Sequence, residues 1–247
     1  MPEIEIQIIG AGVVGKAFGK TLVTLGYKVN LKDLHSGTFN PEADIFFICT
    51  HEKDVLGVLL EYFKSEYKKP IVIRSTMSPS MFRRLWAKFP RLHLSTNPEF
   101  LRQSRAEEDS LHPEFHVIGE CCKEHGNLMK KILQDLNCTI IRTSPETALM
   151  IKLAHNAFLT TLISFWNEIA NIVPEKDSTG IGKACSNSLR IPEYGTRFNG
   201  PFAGSCLPKD LDQLIKYAEE RGVDPILLEA VRKVNRNLVK KDDKTKV

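Results

Sequence analysis

The sequence predicts an α/β fold: an N-terminal parallel sheet followed by a helical region built on one long central helix. Three observations carry this. Short apolar runs alternate with helical stretches up to about Ser144, the pattern of a parallel sheet buried on both faces. The first run leads into a glycine-rich turn and then a helix. From Glu146 to Ile172 the chain continues without Gly or Pro, which reads as one amphipathic helix.

The elements follow in order. Ile4 to Ile9 is a strand rich in isoleucine, and Val13 to Leu25 is a helix that stops at Gly26. Tyr27 to Leu31 is a second strand, ending at Lys32-Asp33. Strand, glycine turn, helix and strand make the opening of a Rossmann βαβ unit. Further strands are expected at Asp44–Cys49, Pro70–Thr76, Leu92–Thr96, Phe115–Gly119 and Cys138–Arg142, with helices at Val55–Tyr67 and Glu124–Leu136. Beyond the long helix, which Pro174 should end, Gly180 to Ser188 reads as a weaker helix. Ile191 to Ser205 is a loop rich in Gly, Pro and Asn. Helices near Lys209–Arg221 and Pro225–Leu238 close the chain. The expected domains are residues 1–144, a Rossmann domain, and 145–247, a helical domain.

The 247 residues are 42% hydrophobic and 26% charged, with a formal net charge of +4. That is ordinary globular composition, and the mild basic excess suits a small anionic ligand without pointing to nucleic acid. No apolar run reaches the ~20 residues of a membrane helix, and no leader is expected before the first strand. A membrane partner is therefore not expected. The six cysteines contain no C-x-x-C pair and no Cys/His set with zinc spacing, so no metal is expected. They read as reduced thiols of a cytoplasmic protein.

Gly10-Ala11-Gly12-Val13-Val14-Gly15 has the G-x-G-x-x-G spacing, with Asp33 at the end of the next strand. Gly10 would make the tight turn, Gly12 would admit a pyrophosphate to the helix N-terminus, and Gly15 would let helix and strand pack closely. Asp33 would accept from ribose hydroxyls and repel a 2′-phosphate, favouring NAD. The bland alternative is a glycine turn with no ligand. The expected cofactor contacts are Gly10, Gly12, Val13, Val14, Gly15, Asp33, Thr50, Ser75 and Thr76.

Gly204-Ser205-Cys206-Leu207-Pro208-Lys209-Asp210 lies on a loop entering a helix. A thiolate is favoured at a helix N-terminus and beside a lysine, whereas most lone cysteines are structural. Cys49, Cys121, Cys122, Cys138 and Cys185 are read as structural. Lys152 and Asn156 share a face of the long helix, which on that helix alone reads as an exposed polar stripe. His155 lies beside them. Asn97-Pro98-Glu99-Phe100-Leu101-Arg102 follows a strand, at the sheet edge where ligands of open α/β sheets bind.

In this order along nearly the whole chain, these segments resemble the UDP-glucose and GDP-mannose dehydrogenase family. Ser75-Thr76-Met77, Asp109 to Gly119, Lys152 to Leu159, Ser164-Phe165-Trp166-Asn167-Glu168 and Asn235 belong to the same resemblance. It implies an NAD-dependent oxidation of a nucleotide-sugar alcohol to a carboxylate through a cysteine thioester. Cys206 would be the nucleophile. Lys152 and Asn156 would stabilise an oxyanion. Asp210 and Thr76 would organise protons and water, and Glu99 would be the general base of hydrolysis. Phe100, Leu101, Arg102, Lys152, Asn156, Phe202 and Gly204 would contact substrate. The long helix would form a homodimer, with Ile163, Phe165, Trp166 and Ile169 at its interface.

Departures from the family pattern are also present. Gln103 replaces a second glutamate, and Pro201 and Ala203 replace glycines of the cysteine loop. The resemblance covers the segments up to the linking helix, and the family's further nucleotide-gripping domain is not expected within these residues. The connection from Leu34 to Ala43 is short, so the usual third strand and its helix are expected to be absent. A retired, non-catalytic cofactor-binding or partner-binding protein, or a dehydrogenase for a smaller hydroxy substrate, stands as the alternative.

Overall fold

The structure, a computed structural model, describes residues 4–33, 35–63, 67–173, 175–196 and 200–245. The expected features at Leu34, at residues 64–66, at Pro174 and at residues 197–199 lie outside these. The chain divides into two compact units, Met1–Lys152 and Leu153–Val247. Each is described by itself.

In the first unit, β1 (Glu5–Ile9), β2 (Lys28–Lys32), β3 (Ile45–Ile48), β4 (Ile71–Ile73), β5 (Leu94–Thr96), β6 (Phe115–Gly119) and β7 (Thr139–Thr143) form one sheet in the order β2-β1-β3-β4-β5-β6-β7. The alternation of side chains along each strand sends two apolar sets to opposite faces. Ile6, Ile8, Ile45, Phe47 and Val72 pack with Phe18 and Leu22 of α1 (Val13–Thr24) and with Met129, Ile132 and Leu133 of α5 (Lys123–Leu133). Phe46, Ile48, Ile71 and Ile73 pack with Val55 and Leu59 of α2 (Val55–Tyr62) and Phe82 and Leu85 of α3 (Pro79–Lys88).

The expectation of a parallel sheet needs one correction. The β5–β6 pairing, at Thr96↔Gly119, is antiparallel, while the other pairs are parallel. Between β5 and β6 the chain makes one 3-10 turn (Gln103–Arg105) and the short α4 (Ala106–Leu111), without the longer helix of a usual crossover. Two helices were not expected from the sequence, α3 and α4. The first starts where the Ser78 hydroxyl accepts from Met81 N at 3.2 Å, with Pro79 in its first turn.

β2 is the sheet edge, and residues 35–44 form neither strand nor helix. The short connection is instead held by a buried side chain of β1. Gln7 Oε1 accepts from Asn40 N at 2.7 Å, and Gln7 Nε2 donates to Asn30 O at 3.1 Å.

The division between the units falls two turns into α6 (Pro145–Ile172), because Ala148 and Leu149 at the start of that helix are buried in the first unit, Leu149 among the core residues of the α2/α3 face. By length and composition α6 resembles a membrane-crossing helix. Its buried polar residues Lys152, Asn156, Thr160, Ser164 and Asn167 mark it as a core helix instead. In the second unit α7 (Glu175–Cys185), α8 (Leu207–Glu220) and α9 (Ile226–Thr245) follow. Ala157 of α6, Phe202, Leu211 and Ile215 of α8 and Val231 of α9 form its core. Of the four expected interface residues, Trp166 is buried, Ile163 packs against this core and Ile169 is half-buried. Phe165 is exposed, in line with Phe158 and Ile172 at intervals of seven.

Candidate active site

Where the strand order reverses, the turn after β1 lies against the end of β3. Gly10 has φ +104°, and a Cβ there would sit 2.7–2.9 Å from the backbone of Cys49 and Thr50. Its amide donates to Lys32 O at 2.8 Å, fixing the turn to β2. A Cβ at Gly15 would lie 1.9 Å from the Gly10 carbonyl oxygen. Gly12 differs: it caps α1 without a side-chain bond, nothing lies within 4 Å of its missing Cβ, and the first turn of α1 carries no acid. The first-turn amides of this helix, unmatched within it, therefore have open approach for an anion. Asp33, half-buried, follows β2 with its amide bonded to Ser36 O at 2.8 Å. This turn and acid fit the diphosphate and ribose of NAD. Val13 is half-exposed and Val14 less so.

Two of the expected cofactor contacts have other work for their hydroxyls. Ser75 Oγ is buried and donates to Thr50 O at 2.6 Å, tying the ends of β4 and β3 together. Thr50 Oγ1 donates to His51 O at 3.3 Å. Thr76 is half-buried on the same loop.

The segment after β5 is anchored from below. Buried Arg74 stacks on Phe18, 3.9 Å from the ring centroid, and bonds Asn97 Oδ1, while Asn97 Nδ2 donates to Val117 O at 2.8 Å. Sequence reading missed Arg74, because a charged residue at a strand end gives no signal of burial. From this anchor Glu99 projects. Its Oε2 accepts from Leu101 N at 2.7 Å, and its Oε1 lies 3.5 Å from Lys152 Nζ. Lys152 Nζ is also 5.2 Å from the centroid of Phe100, which packs on Phe115 at 4.4 Å. Lys152 is 3% exposed and Asn156 4%, so the pair is not a solvated stripe. Arg102 lies on the same segment. Its guanidinium is exposed but engaged by Asp109, Nε–Oδ2 at 2.9 Å and Nη2–Oδ1 at 2.6 Å. These bonds hold the Asp109 carboxyl down at about 2, against the opposing effect of its desolvation. Arg102 thus braces its own loop. Gln103 is exposed on the following turn.

The second unit supplies the thiol. Cys206 is the N-cap of α8 and, alone among the six cysteines, is exposed. Its Sγ is 3.7 Å from Ser205 Oγ. One turn on, Asp210 is 1% exposed. Its Oδ2 accepts from Asn156 Nδ2 at 2.6 Å, and its Oδ1 lies 2.9 Å from Lys209 Nζ, an ion pair without hydrogen-bond alignment. His155 Nδ1 lies 3.1 Å from Asn156 Oδ1. The loop before Cys206 is clamped by two buried asparagines. Asn235 accepts from Phe202 N at 2.8 Å and donates to Phe202 O at 3.0 Å, and Asn167 donates to Gly200 O at 2.7 Å. The Phe202 ring is buried in the core of this unit. Gly204, at φ +82° with open space around it, is exposed. Burial pushes the Cys49 thiol up to about 11, in keeping with a structural role.

Residues 146–237 match the central domain of the UDP-glucose/GDP-mannose dehydrogenase family. The chain is 32% identical to the GDP-mannose 6-dehydrogenase of Pseudomonas aeruginosa over 218 residues, 82% of this chain and 49% of that protein. It is 37% identical to a UDP-glucose 6-dehydrogenase of Rickettsia bellii over 178 residues, 67% of this chain and 40% of that one. The chain thus spans about half the length of the curated relatives it matches. In structure it is similar to a UDP-glucose dehydrogenase from the hyperthermophilic archaeon Pyrobaculum islandicum, with a TM-score of 0.81 at 21% identity, covering 95% of this chain and 68% of the other. With the glycine turn, the Lys152/Asn156 helix and the Cys206 loop all carried on one sequence, the chain belongs to the UDP-glucose/GDP-mannose dehydrogenase family.

Proposed function

We propose that this protein oxidises the primary alcohol of a nucleotide sugar to a carboxylate in two steps, with Cys206 as the nucleophile. One observation carries the reading: Cys206 is the exposed thiol of the chain, set at the N-terminus of α8 directly before the buried Asp210–Asn156 pair.

NAD, when bound at the Gly10–Gly15 turn and Asp33, accepts one hydride in each oxidation. The residues do the rest. The Cys206 sulfur adds to the aldehyde carbon, forming a C–S bond while the carbonyl electron pair moves onto oxygen. The covalent hemithioacetal keeps the aldehyde from escaping between the two oxidations. Lys152 and Asn156 donate to that oxygen. Loss of the second hydride leaves a thioester on Cys206. Water then attacks its carbon, Glu99 takes the proton of that water, and the C–S bond breaks to release thiolate and carboxylate. Asp210 and Thr76 orient protons and water. Phe100, Leu101 and Gly204 face the substrate. We assign the Rossmann role to residues 1–144 and the cysteine loop and dimer face to 145–247. The face is Phe158, Phe165 and Ile172, in a homodimer. The exposed free thiol suits a reducing, cytoplasmic setting.

The test is NADH released per sugar oxidised, with NAD and a panel of UDP- and GDP-sugars. Two NADH per sugar, lost in Cys206→Ser, is the expected result. NAD binding with no NADH from any sugar overturns it in favour of a retired enzyme or a smaller substrate.

A further inference from the structure

A second group of reactive side chains lies in the first unit, away from the Asn97–Arg102 segment. β5 and β6 run antiparallel, so the residues just after β6 meet the amino end of β5, while Asn97–Arg102 leave its carboxyl end. There His93, Cys121, Cys122 and His125 come together, with one ligand atom from each within 4.8 Å of all the others. A bend at residues 121–122 turns two neighbouring thiols to the same side, Sγ to Sγ 3.9 Å. Cys122 is the N-cap of α5 and His125 lies in its first turn, which puts His125 Nδ1 3.4 Å from Cys121 Sγ. The His93 ring stands edge-on to His125 at 5.0 Å. The sequence gave no zinc spacing because His93 is remote in sequence and the cysteines are adjacent.

These separations can be compared with what an ion requires. Zinc bonds of about 2.3 Å to sulfur and about 2.0–2.1 Å to nitrogen, arranged tetrahedrally, set ligand atoms about 3.8 Å apart for two sulfurs and about 3.5 Å apart for sulfur and nitrogen. The observed 3.9 and 3.4 Å already match. We propose that His93, Cys121, Cys122 and His125 form a four-ligand centre for one divalent ion of the zinc class. Two imidazoles and two thiolates are the ligand set of a closed structural zinc site.

The surroundings support this. Ser95 Oγ donates to Cys121 Sγ at 3.3 Å and accepts from Cys121 N at 3.2 Å, the outer-sphere bond that fixes a ligating thiolate. On binding, both thiol protons leave to solvent and nothing is oxidised or reduced. The ion would staple the amino end of β5 to the start of α5, next to the antiparallel pairing.

The test is metal content and cobalt(II) titration of the whole protein. One zinc per chain is expected, and cobalt(II) should give the intense visible bands of a tetrahedral thiolate site. Cys121→Ser/Cys122→Ser should abolish binding. His93→Ala, at an exposed residue whose loss leaves the core intact, should weaken it roughly tenfold or more. Cys138→Ser and Cys206→Ser should leave it unchanged. A chelator should lower the Tm of the wild type but not of the double variant. Substoichiometric metal, or affinity within about twofold of wild type in either ligand variant, overturns the proposal. None of these readouts depends on the dehydrogenase activity.

Discussion

Asn156 donates to Asp210 across 2.6 Å, and both side chains are buried in the second unit. A charge-assisted bond in such a place is worth more than its surface equivalent. Removing one partner leaves a buried group unsatisfied, at a cost of about 1–3 kcal/mol. Asn156→Ala should therefore lower unfolding stability by about that much in urea titration, as well as slowing turnover. Asp210→Asn keeps the shape and an acceptor, so it should keep most of the stability while losing the charge. An Asn156→Ala protein as stable as wild type would show that the pair is not formed in solution.

Lys152 and Glu99 make a buried ion pair in the first unit. Breaking such a pair from one side leaves an uncompensated charge and costs about 3–5 kcal/mol, whereas replacing both partners by apolar groups is often neutral. Lys152→Met and Glu99→Leu should each destabilise strongly, and the double variant should regain most of the loss. The coupling energy from a double-mutant cycle measures this directly. Additive losses would mean that the two side chains act separately.

Gly10 and Gly12 should answer differently to the same substitution. Gly10→Ala meets both a positive φ and a backbone wall at 2.7–2.9 Å, so it should lower Tm and weaken NAD together. Gly12→Ala meets nothing. Its stability should stay within about 0.5 kcal/mol of wild type. The added methyl would stand where the diphosphate approaches, so NAD affinity should fall tenfold or more in calorimetric titration. Equal NAD affinity in Gly12→Ala would remove the diphosphate from this turn.

The sequence shows the sheet because its strands are short apolar runs, such as Ile45–Ile48, and periodicity reveals such runs. It shows the cofactor turn because glycine spacing is a local property. It hides whatever depends on distant partners. Nothing in the local pattern says that β6 pairs antiparallel to β5, that Arg102 is engaged by Asp109, or that Phe202 lies in a core. The start of α3 was readable at Ser78-Pro79 but is overshadowed by the strand before it. Lys152 and Asn156 show the limit most clearly. Their spacing gives a shared face, and only the fold shows that this face is buried.

His116 sets an acid limit on the first unit. Its imidazole is buried with Nε2 unpartnered, and burial, aided by the nearby Arg74 charge, pushes it down from 6.5 to about 3. Between those values the unfolded chain binds the extra proton, so this residue makes stability rise with pH from about 3 to 6.5. Acidification through that window should cost up to about 1.4 kcal/mol per pH unit from this group. His116→Leu should flatten the stability profile below pH 6.5 and change it little above. An unchanged acid slope would place the sensitivity in other groups.

Phe158, Phe165 and Ile172 stand 57%, 51% and 73% exposed along one stripe of α6. Three large apolar side chains in line on a long helix are a poor surface for a lone chain, and a spacing of seven is the period of helices that pair side by side. A two-fold axis across the middle of the stripe would set Phe165 against its own copy and Phe158 against Ile172 of the other chain. Light scattering should accordingly give twice 27.9 kDa. Phe165→Glu should halve that mass, because two like charges would then face each other in the contact, while leaving the fold intact since the ring is already in water. Trp166→Ala, by contrast, removes a buried ring and should lower Tm rather than act on the contact alone. A wild-type mass of one chain, or a Phe165→Glu protein that stays double, would place the association elsewhere or abolish it.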